Sequence, residues 1–464
     1  MNGYVENARL RHKVTHKNIT IKRLDLGTIS YVIIAVTLGL IFLTTKGEST
    51  VLSVMIIAIA VIIGIPRPEV LFPVFFVVSL SGDYFGAFPG VGFTRVFGII
   101  IFIGALRRVI ASGRVKQKYW KYCILIALTT FISYLNAYVD SFANLMTILL
   151  NLIMLFSLTN LNLTKEELEK LFKRTYFATI IAILFFIALL IFNPYIYVRS
   201  DAQGMTVAAN LNPNTFSQMM AQLGAFCFGY GYVSDQKRAK NLFAYALGFI
   251  CMYSVIVSGS RAGTLAIILG TFCTILIYLA VKGRSVKHFI MYMLITLVGL
   301  AIYYAALATN PHLADRMNLA SIIETGGSGR WTYIQTQVLY VIPEHLIFGV
   351  GIGTSNEVAA MSQYYSYTPL SSTNIIFSML TQVGIIGFSA FVLFFRKVIK
   401  DAITEMKCNP LLLIPLILII VAIFNGFGEV VFHERYFWNA LSLVALCIVT
   451  YNSARTAYTK VKIK

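Results

Sequence analysis

Apolar runs of about 15 to 22 residues, broken by charged or Gly/Pro-rich stretches, recur along most of the chain, and runs of that length can cross a bilayer as helices. They lie near 27–45, 51–65, 71–86, 91–106, 122–138, 141–160, 175–192, 215–233, 242–258, 264–281, 289–307, 373–394, 410–428 and 438–451. The third and fourth meet at "SGDYFGAFPGVGFTR", where Asp83 and Arg95 stand among Gly and Pro. Lipid-facing backbone would be unsatisfied there, so that pair reads equally as a re-entrant segment and the count is twelve to fourteen spans. Between the last of the first eleven spans and the next one the pattern lapses for 65 residues, 308–372. Within this stretch "RWTYIQTQVLYVIP" places Trp331, Ile334, Val338 and Val341 at helical spacing and meets Pro343, which predicts an amphipathic helix against the membrane surface. The expected fold is therefore an all-α polytopic membrane protein. It divides into a basic tail at 1–26, eleven helices over 27–307, a structured loop at 308–372, and three further helices with a second tail over 373–464.

Composition agrees with that pattern. The chain has 464 residues, 58% of them hydrophobic and 12% charged, with a mean hydropathy of +0.76. A soluble domain runs at about 45 to 50% apolar and about 25% charged. A soluble enzyme, a single-anchor receptor and a nucleic-acid-binding domain are excluded, and nucleic acid is not an expected partner. The net charge of +19 is instead what cytoplasmic loops of a polytopic protein contribute. Placing both termini in the cytoplasm puts 31 of the 38 Lys and Arg inside, and "MNGYVENARLRHKVTHKNITIKRLDLG" then reads as a cytoplasmic tail and not a signal peptide. The seven left outside are Lys46, Arg95, Arg199, Arg261, Arg316, Arg330 and Arg435, six of them Arg, whereas Lys predominates inside. A shift to Arg outside points to planar, bidentate recognition of phosphate or carboxylate; pairing of each Arg with an outside carboxylate is the simpler alternative.

Three segments could carry chemistry. The loop "NPYIYVRSDAQGMTVAANLNPN" over 193–214 holds Arg199 and ends at Asn214, which is placed to cap the next helix. The motif "VSGSRAGTLA" sets Arg261 between two nearly continuous helices, where it either faces a polar cavity or snorkels. In the long loop, "TGGSGR" presents Arg330 at a helix start and "PEHLIFGVGIG" follows the helix. No strand precedes those glycines, so they suit tight packing and not a nucleotide fold. The six Cys (123, 227, 251, 273, 408, 447) fall within spans or on the cytoplasmic side, and the outside His residues are scattered, so neither a disulfide nor a metal or other cofactor is expected.

The succession of Arg199 and "NPN", "SGSRAG", "GSGRW", "PEHLIFGVGIG" and "STNIIFSMLTQVGIIG" resembles the O-antigen ligase and Wzy-type polymerase superfamily over roughly residues 175–450. The resemblance implies a C-type glycosyltransferase that works outside the bacterial plasma membrane without metal or nucleotide sugar. Its donor and acceptor would be oligosaccharides on undecaprenyl pyrophosphate, its surroundings membrane lipid, and a polysaccharide chain-length regulator a further partner to consider. The family's functional arginines would fall on Arg199, Arg261 and Arg330. Ligases carry His-Asn, nine residues, then Gly-x-x-Gly; here Asn374, Gly384 and Gly387 fit, but Thr373 stands at the His position. A Thr hydroxyl cannot replace an imidazole as base, which favours a repeat-unit polymerase over a ligase. Base candidates are Glu344 and His345 in the long loop and His433 and Glu434 in the last outer loop, with Asn214, Asn374 and Arg435 as substrate contacts; Tyr364, Tyr365 and Tyr367 suit sugar stacking or interfacial anchoring. A lipid-linked oligosaccharide flippase is the competing class, but no internal repeat of the kind transporters use is found.

Overall fold

The computed structural model describes residues 26–44, 49–81, 85–88, 91–199, 202–208, 211–233, 238–282, 286–318, 320, 330–367, 369, 371 and 373–462. Each of the fourteen apolar runs falls on a helix. In chain order these are α1 (Leu26–Leu43), α2 (Thr50–Gly64), α3 (Pro68–Leu80), α4 (Phe93–Ser112), α5 (Trp120–Leu135), α6 (Phe142–Thr159), α7 (Lys165–Phe192), α8 (Pro213–Val233), α9 (Arg238–Val257), α10 (Arg261–Lys282) and α11 (Val286–Thr309). After the long loop come α15 (Ile375–Glu405), α16 (Leu413–Asn425) and α17 (Arg435–Lys462). Five of them, α6, α7, α9, α10 and α15, are long and apolar enough to cross a membrane. A sixth is added if α11 and the short α12 (Pro311–Met317), bent by 120°, form one span. The protein is an all-α polytopic membrane protein.

Helices are favoured here because a chain in lipid must satisfy its backbone internally. Among the described residues the exceptions are two short antiparallel hairpins that apolar periodicity does not reveal. One pairs β1 (Gly86–Phe88) with β2 (Val91–Gly92) inside the segment read as re-entrant or spanning. The other pairs β3 (Pro194–Arg199) with β4 (Ala202–Ala208), with Tyr197 opposite Met205 and Arg199 opposite Ala202. The β-branched and aromatic residues of "YIYV" and "MTV" suit that pairing.

Side-chain contacts sort the connections into two ends. At one, Arg108 is paired with Glu69, and Lys118 and Lys397 share Asp401, each at 2.8 Å. The other end carries the long loop. There α13 starts with Arg330–Thr336, passes through one π-helical stretch, Gln337–Val341, and closes with Ile342–Glu344, so Pro343 sits in its last turn. Thr336, Gln337 and Val341 face the protein while Trp331, Val338, Leu339 and Tyr340 are exposed, the division expected of a helix at a membrane face. A short α14 (Thr354–Met361) follows.

Within the bundle α15 is broken. Gly384 has φ 64° and ψ −174°, a conformation essentially restricted to glycine. The groups freed by the break are taken up by the loop after α13: Ile385 N–H donates to the Leu346 carbonyl at 2.8 Å, and Val350 N–H donates to the Thr381 carbonyl at 2.9 Å. Gly349, at φ 73°, lies against this break, and a Cβ there would come within 2.3 Å of the Gln382 carbonyl oxygen. The glycines of "PEHLIFGVGIG" thus allow a loop to enter a helix break, which is how irregular backbone is tolerated at membrane depth.

Candidate functional site

The loop between α16 and α17, residues 426–434, is the hub of the end that carries the long loop. Its Gly426 carbonyl accepts from Ile375 N–H at 2.7 Å. Its Gly428 carbonyl accepts from Arg330 Nη1 at 2.9 Å. Its His433 carbonyl accepts from Asn151 Nδ2 at 3.1 Å, and Arg435 just beyond it donates to Thr94 Oγ1.

On one flank stand arginines. Gly428 packs against Ala262, and a Cβ on it would lie 2.4 Å from Ala262 Cβ and 3.3 Å from Arg330 Nη1. Arg330 is thereby held at the first turn of α10, which Arg261 opens. Arg261 Nε donates to the Arg316 carbonyl at 2.9 Å, and Arg316 Nε donates to the Gly259 carbonyl at 2.7 Å. The start of α8 closes this flank, since Ser260 Oγ donates to Asn214 Oδ1 at 3.1 Å. Asn214 is not the helix cap, however. The helix starts at Pro213, and it is Asn212 whose side chain accepts from Asn214 N–H, at 2.9 Å, while its carbonyl accepts from Phe216 N–H. Proline suits the first helical position because it has no N–H to satisfy, so the cap falls on Asn212, two residues earlier than the expected Asn214. The β3–β4 hairpin reaches the same turn, with Met205 against Gly259. Arg199 ends β3, but its side chain lies outside the described residues.

On the other flank lies a buried polar network that the motifs did not announce. Glu357 on α14 is fully buried and accepts from Ser371 Oγ at 3.0 Å and from Gln382 Nε2 at 3.2 Å. Gln382, in the broken turn of α15, uses its Oε1 to accept from Gly353 N–H at 2.8 Å and to meet His433 Nε2 at 2.8 Å. Gly353 N–H can only donate and the Glu357 carboxylate can only accept, which fixes the orientation of the Gln382 amide. An amide oxygen only accepts, so His433 carries its proton on Nε2 and its Nδ1 holds a lone pair. That Nδ1 is buried and has no hydrogen-bond partner among the described residues, although part of the residue reaches the surface. Burial lowers the His433 pKa to about 3, so the imidazole is neutral at physiological pH.

Position 373 joins the same network. Thr373 has φ 52°, its N–H donates to Ser371 Oγ at 3.2 Å, and its Oγ1 is buried without a partner among the described residues. Asn374 caps α15, its Oδ1 accepting from Ile376 N–H at 3.0 Å and Phe377 N–H at 3.4 Å. Glu434 directly precedes α17, where an acidic residue suits the helix dipole. Glu344 and His345 lie elsewhere. Glu344 Oε2 accepts from Tyr364 Oη at 2.9 Å, and His345 Nε2 meets Tyr138 Oη at 3.0 Å, both at the far end of α13 from Arg330.

Residues 245–392 match the family model Wzy_C, O-antigen ligase, which supports the resemblance to the O-antigen ligase and Wzy-type superfamily. The matched region includes Arg261, Arg330, Glu357 and Gln382, whereas His433 lies beyond it. The class that follows is a membrane enzyme that processes lipid-linked glycans. A search of curated proteins found no match.

Proposed function

We propose that the protein polymerises oligosaccharide repeats carried on undecaprenyl pyrophosphate, at the outer face of the bacterial plasma membrane and with both termini in the cytoplasm. The observation that carries this reading is the loop 426–434, which touches Arg330 and the first turn of α10 through Gly428 and the Glu357–Gln382 pair through His433. One short loop thus joins a cationic flank to a flank with a free imidazole lone pair.

The acceptor sugar hydroxyl attacks the anomeric carbon of the donor, the bond from that carbon to pyrophosphate oxygen breaks, and the bonding electrons leave with undecaprenyl pyrophosphate. Arg261 and Arg330 stabilise the charge that grows on that leaving group, as fixed donors do best in a water-poor site. The hydroxyl proton goes to Nδ1 of His433. Gln382 and Glu357 are positioning residues that hold the tautomer, and arrival of the pyrophosphate anion raises the proton affinity of the imidazole. Arg199 and Arg435 would extend the cationic surface. Thr373, where ligases carry histidine, supports polymerase over ligase, with His433 supplying the base from a different loop.

Glu344 is separated from Arg330 by fourteen residues of continuous helix, roughly 20 Å at about 1.5 Å per residue. On this reading the hydroxyl proton goes neither to Glu344 nor to His345. The reading is tested by deletion: the cell should lose polymer while single-repeat glycans still reach its surface. Loss of both products would favour ligase or flippase.

A further inference from the structure

We infer that the groove at the far end of α13 is the acceptor subsite, in which the sugars of the incoming lipid-linked repeat lie against Tyr138, Tyr340, Tyr364 and Glu344 with its lipid beside Leu346–Phe348. The inference rests on the polymerase reading and adds to it a site with a stated ligand.

The groove has a volume of about 660 Å³ and runs between the turn after α5, at Asn136 and Tyr138, and the residues that follow α13. Both walls are fixed. The α5–α6 turn is tied to the long loop by Val139 N–H donating to Asn356 Oδ1 at 2.7 Å and Tyr138 N–H donating to the Val350 carbonyl at 3.3 Å. The opposite wall is pinned by the hydrogen bonds from Ile385 and Ile386 N–H to the Leu346 and Ile347 carbonyls. At the edge of the groove, beyond the residues that line it, Tyr364 stacks on Tyr340, their centroids 5.1 Å apart, and its hydroxyl donates to the lining residue Glu344. His345 is held by Tyr138.

Aromatic faces beside a carboxylate, an imidazole and an amide suit a sugar, whose rings offer C–H faces and whose rims offer hydroxyls. Tyr138, Tyr340 and Tyr364 are all exposed, so they do not serve a core. On one side of the groove Leu346, Ile347 and Phe348 are exposed in succession and form part of its lining. A polar and aromatic groove next to an apolar lip matches an amphipathic ligand, a glycan joined to a lipid. The roughly 20 Å of helix between Glu344 and Arg330 is then the span of a short oligosaccharide. The acceptor's lipid end rests at the groove, and its terminal hydroxyl reaches the pyrophosphate of the donor. The site would thus select acceptors by repeat length as well as by sugar.

The test uses the full-length protein purified in detergent and lipid-linked repeats extracted from cells lacking this polymerase. Tyr364→Ala and Tyr340→Ala should each raise KM for the repeats about tenfold, the equivalent of roughly 1.4 kcal/mol for one aromatic contact, and leave kcat within about twofold. Tyr364→Phe keeps the ring and should recover most of the loss. Binding is read separately by titrating the protein with the same glycan released from its lipid by mild acid. Half-saturation should again move about tenfold in Tyr364→Ala. Unchanged KM and unchanged half-saturation in both Ala variants overturn the subsite. Retained, Tyr364-dependent glycan binding in a wild-type protein that makes no polymer overturns the polymerase reading and leaves the subsite standing.

Discussion

Replacement of His433 by Gln would remove the proposed base and little else. The Gln amide can still donate to Gln382 Oε1, so the hydrogen bond now at 2.8 Å is retained. What is lost structurally is the ring contact with Phe432, 3.8 Å between centroids, worth about 0.5 to 1.5 kcal/mol. A midpoint of thermal unfolding lowered by no more than about 3 °C is expected for a chain of this size. Turnover should fall by about 100-fold or more, within the range of positioned general bases. The pH profile separates this from a packing defect. Because burial lowers the His433 pKa to about 3, wild-type kcat/KM should be flat with respect to this group between about pH 6 and 8. In His433→Gln it should instead climb with pH, since hydroxide must now take the proton. Glu357→Gln should keep the flat profile at a lower plateau, as suits a positioning residue. The assay is polymer formation from purified lipid-linked repeats, run alongside the thermal melt. His433→Gln that keeps more than about a third of wild-type turnover would refute the assignment.

Arg330→Ala should cost about 100-fold in rate, and Arg330→Lys should recover only part, because Lys keeps the charge but loses the planar fork; full activity of the Ala variant removes Arg330 from the mechanism. Gly384→Ala should fail to accumulate at normal levels, since a Cβ would come within 2.3 Å of the Ile347 carbonyl oxygen at φ 64°, and normal yield in membranes would contradict the broken-helix assignment. Acid should loosen the fold through His433: its neutral form is favoured when folded, so the contribution is complete above an unfolded pKa of about 6.5 and falls by about 1.4 kcal/mol per pH unit below it, towards the folded value. Melts of wild type and His433→Gln between about pH 5 and 7 should therefore diverge, and parallel curves would contradict the burial. For topology, the exposed native Cys408 should react with an impermeant thiol reagent only after permeabilisation and Ser362→Cys from outside; the reverse would overturn the orientation.

The helices were legible because burial in lipid demands long uninterrupted apolar runs, and that signal is local. The end that carries the long loop was legible only where charge made a residue conspicuous: Arg261 and Arg330, which the structure brings to the same turn, stand out against apolar surroundings. Glu357 did not, as one outside carboxylate among several in a long loop, and Gln382 is a neutral residue inside an apolar run. Their roles arise from contacts between segments 25 and 51 positions apart, which no local pattern carries. The one available hint was Gln382 two residues before Gly384, a polar side chain beside a glycine in a span. The helix cap was expected two residues too late, at Asn214 instead of Asn212, because Asn-Pro-Asn offers two candidate caps, and the proline between them decides in favour of the first. His433 was named from sequence but not ranked above Glu344 and His345, because the length of α13 that separates those two from Arg330 becomes a distance only in the folded chain.

The most direct test of the central claim is reconstitution: purified protein in liposomes, given lipid-linked single repeats as sole substrate, with the lipid-attached products resolved by size. A ladder of multimers on the same lipid, with release of undecaprenyl pyrophosphate, is the predicted result. Transfer of single repeats to an added lipid A-core, protein or cell-wall acceptor with no ladder, or passage of intact repeats across the bilayer without bond formation, would contradict it.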